Sequence, residues 1–379
     1  MKKTLIALAA LAATAGVAHA QSSVTLYGVA DAMVASQNVK VQSSTTNTSI
    51  TNSKIDGSGL SSSRWGMRGS EDLGGGLAAV FTLESGFGID SGSLANNAGS
   101  SASGSGNVLF GRTASVGLKG NFGEVRLGRQ YTAYDSLRGA TNNTYDSNTF
   151  ATTGAVWSNG LQDYSNRANN SIRYDSPVFS GFSGSVMYAF GEDKSATVSA
   201  SSSTSAHIKY ANGPLLVGYG YQAEKSNGIS TMFSGAGGLG ATALASASSN
   251  VGTASALVTT RKYNLLGATY DFGVAKIVGS YNTVKGQVLA GVDAKDKEYQ
   301  LGVSVPFGAA SIAAGYTRSK SDFANTSRKG TGYSLLGTYD LSKRTTLYTG
   351  YTNMKAEAVL DSTRTDKQTL LAAGIRHTF

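Results

Sequence analysis

The chain has no cysteine in 379 residues, only three prolines and only three histidines. Without thiols it forms no disulfide and offers no thiolate to a metal or a substrate. Past the first twenty residues just two histidines remain, His207 and His377. That is too few to assemble a hydrolase triad readily or to build a transition-metal centre. The loop acids Asp90, Asp163 and Asp293 match no calcium-loop spacing. Gly74, Gly75 and Gly76 lack the Lys-Ser/Thr and helix of a phosphate loop and predict a hairpin turn. The sequence therefore predicts no catalytic residues, no cofactor and no metal. Lys and Arg total 32 against 23 Asp and Glu, but the excess is scattered and does not point to nucleic acid.

Long hydrophobic runs are missing as well. After the N-terminal segment the longest resemble Leu77-Ala78-Ala79-Val80-Phe81, far short of the ~18 apolar residues a spanning helix needs. Such a chain can cross a bilayer only as a closed barrel, because open sheet edges cannot be left in hydrocarbon. Residues 1–20 predict a signal peptide: Lys2 and Lys3 precede an apolar stretch that ends in Ala18-His19-Ala20. The mature domain is then expected over residues 21–379, exported to an oxidising compartment and stabilised without disulfide staples.

Strands with tight turns are abundant. Glycine reaches 48 and tyrosine 19, a composition suited to many hairpins and interfacial aromatics. At the C-terminus Leu371, Ala373, Ile375, His377 and Phe379 alternate with Gly374, Arg376 and Thr378, a period of two that runs to the last residue. Similar alternation predicts sixteen strands in hairpins. Seven tight turns, such as Asn212-Gly213-Pro214 and Pro306-Phe307-Gly308, alternate with longer polar connections. The longest connections are expected at residues 36–63, 86–108, 131–169 and 224–261. Sorting loops by parity is what a membrane barrel requires. The expected fold is thus all-β, a 16-stranded antiparallel transmembrane β-barrel with long external loops and short periplasmic turns. Sixteen strands leave an aqueous lumen, so one face must be polar. Arg64 and Arg68 alternate with Trp65 and Met67, and Thr82 and Glu84 with Phe81 and Leu83, which places Arg and Glu in the lumen.

The segments 23–31 (SVTLYGVAD), 63–77 (SRWGMRGSEDLGGGL), 127–131 (LGRQY) and the terminal GIRHTF together resemble the general porins of Gram-negative bacteria, most closely the beta-proteobacterial branch. The likeness runs over the whole mature chain. It implies an outer-membrane homotrimer passing small hydrophilic solutes and ions by passive diffusion, and no enzyme. It also implies that the third external loop, residues 131–169, folds into the barrel opposite a ladder of basic residues. By motif the ladder falls on Arg64, Arg112 and Arg173, with Arg68 the next lumen-facing position and Arg126 and Arg129 as additions. The family's Pro-Glu-Phe-Gly stretch is absent from the loop, leaving Asp135 and Asp146 as acidic candidates. Glu84 and Asp31 are expected as partners of the arginines. The basic excess points to a modest anion preference, and lipopolysaccharide phosphates are a natural partner for exposed Lys and Arg. The Ser/Thr-rich segments 42–53 and 199–205 suggest an alternative, an adhesin or receptor acting through its loops.

Overall fold

A computed structural model describes residues 23–44, 47–94, 108–142, 149–157, 163–197, 199–225, 258–288, 293–323, 326–357 and 365–379. The expected signal peptide and the candidate Asp146 lie outside the described residues, as does most of segment 224–261.

The chain forms one antiparallel sheet closed on itself. Its strands are β1 (Ser23–Gln42), β2 (Asn47–Gly57), β3 (Arg64–Gly74), β4 (Leu77–Gly86), β5 (Thr113–Gly120), β6 (Gly123–Tyr131), β7 (Arg167–Asp175), β8 (Phe182–Phe190) and β9 (Ser202–Asn212). They continue with β10 (Leu215–Lys225), β11 (Val258–Asp271), β12 (Lys276–Val288), β13 (Ala294–Phe307), β14 (Ala310–Phe323), β15 (Thr326–Asp340), β16 (Thr345–Glu357) and β17 (Thr365–Thr378). Both β2 and β3 pair with β1, from Gln42 opposite Asn47 down to Val29 opposite Arg64 and Ser23 opposite Ser70. They are two halves of one barrel strand interrupted at residues 58–63, so the barrel has 16 strands. Closure comes from β1 against β17. No described helix is long and apolar enough to cross a membrane.

The usual arrangement of apolar and polar residues is inverted. Leu26, Val34, Leu127, Leu266, Leu301 and Leu371 are each more than half exposed on the outside of the barrel, while Gln222, Asn282, Glu298 and Thr352 are buried inside. On β13 the switch occurs residue by residue: Lys297, Tyr299 and Leu301 point out while Asp296, Glu298 and Gln300 point in. A surface so apolar calls for hydrocarbon as its solvent, and the closed ladder leaves no sheet edge to desolvate.

Phe379 completes the closure. It exchanges backbone hydrogen bonds with Gly28, N to O at 3.0 and 3.1 Å, and its ring covers the position where a Gly28 Cβ would stand. Gly28→Leu is therefore expected to displace the terminal ring, at about 1–3 kcal/mol for overpacking. A lowered midpoint in the heat-induced gel-mobility shift of the folded barrel is the expected readout. An unchanged midpoint would mean the ring is not seated there.

The connection expected at 36–63 is instead mostly strand, because β1 runs to Gln42 and β2 covers 47–57. The Ser/Thr-rich stretch 42–53 is part of this hairpin, and most of 199–205 lies in β9. Both observations correct the expectation of polar loops there. The three glycines of the 74–76 turn all have positive φ, at 85°, 62° and 79°, which suits a tight reversal that side chains disfavour.

Candidate functional site

Two walls face each other across the lumen. The first is basic and lies on β3 to β7. Glu84, 8 % exposed, is its centre. It accepts hydrogen bonds from Arg112 Nε at 2.6 Å and Tyr27 Oη at 3.0 Å, and Arg64 Nε stands 3.6 Å away. Arg68 lies over the Tyr27 ring, 5.3 Å from its centroid. Arg112 also donates to Tyr131 Oη at 3.0 Å, and Arg167 donates to that same hydroxyl while stacking on the ring at 4.0 Å. Arg173 sits on Asp175 through Nε and Nη2, the latter at 2.6 Å, and donates to the Tyr131 carbonyl at 2.8 Å. Arg126, directly across from Arg173 in register, pairs with Glu124 at 2.6 Å. Four of these six arginines meet Glu84, Glu124 or Asp175, while Arg68 and Arg167 lie on tyrosine rings, so this wall keeps a net positive charge. Arg129 is held apart from these pairs by the Gly111 carbonyl and Asn169 Oδ1, both at 2.6 Å, beside a register shift after Gly128.

Asp31 has a different role from the one expected. Its carboxylate accepts the backbone N–H groups of Gly59, Leu60 and Ser61 at 3.1, 2.8 and 2.8 Å and the Tyr348 hydroxyl at 2.5 Å. It fastens the break between β2 and β3 rather than neutralising an arginine of the ladder. Buried N–H groups in an irregular segment need such an acceptor.

The second wall carries the segment between β6 and β7. Thr132 caps a helix, α1 (Ala133–Asn142), by accepting the Asp135 N–H at 3.1 Å, the Thr-x-x-Asp spacing of an N-terminal cap. A short helix, α2 (Thr153–Trp157), follows. Both lie on the inner face of the barrel, α1 across β8 to β13 and α2 across β14 to β16. The wall is thinned beneath them: a Cβ at Gly267 would collide with Thr141, and one at Gly350 with Phe150. Polar ties hold the helices down. Tyr134 donates to Asn282 Oδ1 at 2.8 Å, Gln300 to the Thr141 carbonyl at 3.0 Å, and Ser319 to the Val156 carbonyl at 2.7 Å.

A lock sits at the centre of this segment. Arg138 grips Asp163 with both terminal nitrogens, at 2.5 and 2.8 Å. Its guanidinium is layered between Trp157 and Tyr164, 4.8 and 4.4 Å from their centroids. Tyr164 donates to Asp135 Oδ1 at 2.5 Å. Burial pushes the Asp135 carboxyl above its ordinary value, against the lowering influence of Tyr164, Arg167 and Arg138. Burial also holds the Tyr164 phenol well above 10, reinforced by the Asp135 carboxylate. A raised carboxyl favours its protonated form in the docked segment. Docking is therefore firmest below pH 3.8, the ordinary carboxyl value, and weakens as pH rises through the raised one. Channel current is expected to be noisier at neutral pH than at pH 4 in the natural chain, and Asp135→Asn is expected to abolish the difference. Equal noise at both pH values in the natural chain would contradict this.

Of the residues expected from the sequence, Arg64, Arg68, Arg112, Arg173 and Glu84 stand together on the basic wall, while Asp135 stands on the docked segment. The sequence does not single out Arg167, Tyr131, Arg138, Asp163 or Asp175 for these roles. Arg167 falls inside the segment expected as loop, and the Arg138–Asp163 pair spans 25 residues with no local signature. Among the described residues, no group of three or more His, Asp or Glu is placed to hold a metal ion.

A family model described as Gram-negative porin matches residues 7–358. The chain belongs to the Gram-negative porin family. Outer membrane porin protein 32 of Delftia acidovorans is 37 % identical over 322 residues, covering 81 % of this chain and 77 % of that one. An outer membrane porin protein of Bordetella pertussis is 31 % identical over the full length of both chains. Among solved structures, an anion-selective porin from Comamonas acidovorans superposes with a TM-score of 0.70 at 30 % identity, over 95 % of this chain and all of the other. OmpT of Vibrio cholerae shares the fold, with a TM-score of 0.63 at 18 % identity over 94 % and 98 % of the two chains. This porin is accordingly an outer-membrane β-barrel, a channel protein by family.

Proposed function

We propose that this porin is a passive, water-filled channel with a modest preference for anions. Its narrowing lies between the docked helices α1 and α2 and the arginines of β3 to β7. The observation that carries this is the surplus of guanidinium over carboxylate on that wall, with Glu84 shared among Arg64, Arg112 and Tyr27. Fixed charges on opposite sides of a narrow aqueous passage orient dipolar solutes and favour the counter-charge of the richer wall. Arg68, exposed on the lumen face, offers its guanidinium to passing solutes through water. A small hydrophilic anion passes by exchanging hydration water for successive N–H donors that never fully desolvate, so it binds weakly and leaves readily.

The same reading includes assembly as a homotrimer and contact with lipopolysaccharide in the outer leaflet. The similar porin from Comamonas acidovorans is described as anion-selective, which supports the charge preference. The test is osmotic swelling of liposomes that contain the refolded protein. Small monoanions are expected to enter about two- to fourfold faster than cations of the same size, the effect of a net charge near the path at moderate salt. Equal rates, or faster entry of cations, would reject the preference while leaving the channel in place.

A further inference from the structure

Outside the lumen, the strand register brings together residues that the sequence keeps far apart. On the outward face, Lys262 of β11 is directly opposite Lys285 of β12, and Lys285 is opposite Lys295 of β13. Lys297 of β13 faces Lys320 of β14, which faces Lys329 of β15. Lys355 of β16 faces Lys367 of β17, and Lys367 faces Lys40 of β1. Three rows of three lysines run across adjoining strands, and all nine side chains are exposed.

Like charges directly opposite each other on one sheet face repel and destabilise the pair. Three such rows in succession are costly unless something anionic lies on them. Among the described residues, one carboxylate is bonded into the rows: Asp322, 3.0 Å from Lys320. The rows also keep close to one height, stepping by two residues where the first two meet on β13. On β12, β14, β15 and β16 each lysine lies four residues from an outward tyrosine: Tyr281, Tyr316, Tyr333 and Tyr351 respectively. Four residues are about 13 Å of strand, or about 10 Å along the membrane normal at the tilt of such barrels. Tyrosine marks the edge of the hydrocarbon, so the amines stand at the headgroup layer. They are on the side away from Phe379 and the short turns, which is the outer leaflet.

We infer that these lysine rows are a docking surface for the phosphate groups of lipopolysaccharide, each row presenting adjacent amines to a phosphorylated glycolipid lying against the barrel. The inference deepens the lipopolysaccharide contact proposed above by naming its residues and its chemistry. Flexible lysines suit it, since they can swing toward phosphates at slightly different depths. An outward surface at this level of the membrane is reached by lipid rather than by the solutes of the lumen.

The experiment compares the refolded full-length porin with its Lys297→Gln, Lys320→Gln, Lys329→Gln triple variant, using purified lipopolysaccharide and the same glycolipid stripped of phosphate. Because each lysine at a charged lipid surface adds severalfold to affinity, the triple variant is expected to bind intact lipopolysaccharide about a hundredfold more weakly. Its conductance should be unchanged, and the stripped glycolipid should bind both proteins weakly. Equal binding of intact lipopolysaccharide by both proteins would overturn the lysine rows and leave the partner standing. Tight phosphate-independent binding by the natural chain would overturn the phosphate chemistry. No binding at all by a conducting barrel would remove lipopolysaccharide as a partner without touching the channel. Preference of the rows for a soluble sulfated polysaccharide over lipopolysaccharide would replace the lipid with that polyanion.

Discussion

Arg112→Gln moves the zero-current potential of this porin toward cation selectivity, and Glu84→Gln moves it the other way. The two residues are bonded at 2.6 Å, so a role confined to bracing the wall would give both variants similar losses of stability and no opposed shift. The size follows from Coulomb's law. One unit charge about 6 Å from a passing ion changes its energy by about 0.7 kcal/mol at the dielectric of water. Screening at 0.1 M salt roughly halves that. The anion and the cation feel opposite signs, so the permeability ratio changes about three- to fourfold per residue. At 1 M salt, where the screening length is about 3 Å, most of the shift disappears. Shifts of the same sign in both variants, or shifts that survive 1 M salt, would take this pair out of the constriction. Arg112→Gln also leaves Glu84 with Tyr27 and the more distant Arg64, so its folded yield needs to be measured alongside.

Arg138→Leu has the other large expected effect. Arg138 is 5 % exposed, fixed bidentately to Asp163 and layered between two aromatic rings. Removing one partner of a buried pair leaves the other charge uncompensated, which typically costs about 3–5 kcal/mol. That cost falls on docking of α1 and its flanks rather than on the barrel, whose ladders close independently of it. The variant is expected to keep its heat stability as a barrel while its single-channel current becomes larger and noisier. Proteolysis within residues 131–169 should also become easy. Replacing Asp163 and Arg138 together, by Asn and Leu, should restore part of the docking, since no buried charge is then left unpaired. An unchanged current in Arg138→Leu would mean the segment does not limit the pore.

Much of the barrel is legible in the sequence because lipid on one side and water on the other impose a period of two. Val24 to Val34, the 64–70 and 77–85 hairpin and the terminal strand all carry that period. The alternation fades where a strand rises above the membrane. Residues 47–57 read as Ser, Thr and Asn with few apolar positions, yet they pair with β1 over their whole length. Both faces meet water there, so backbone pairing leaves no mark on the pattern. The candidate site is legible by half for a related reason. Arg64 and Arg173 sit in short motifs on strands, and Arg112 sits in one directly before β5. Arg167 and the Arg138–Asp163 lock belong to a segment whose shape is dictated by the wall beneath it, including Gly267 and Gly350. The Thr132-x-x-Asp135 cap is the one local signal of a helix inside that segment. The lysine rows are invisible without the strand register, since each is built from three strands.

The most direct test of the charged narrowing is the reversal potential of the refolded natural chain in a planar bilayer under a KCl gradient. Stepwise conductance with a reversal potential displaced toward the chloride equilibrium value is the expected result, and it would place the arginines of β3 to β7 in control of the path. Displacement toward the potassium value would contradict that placement and give control to Glu84, Asp135 and the other carboxylates.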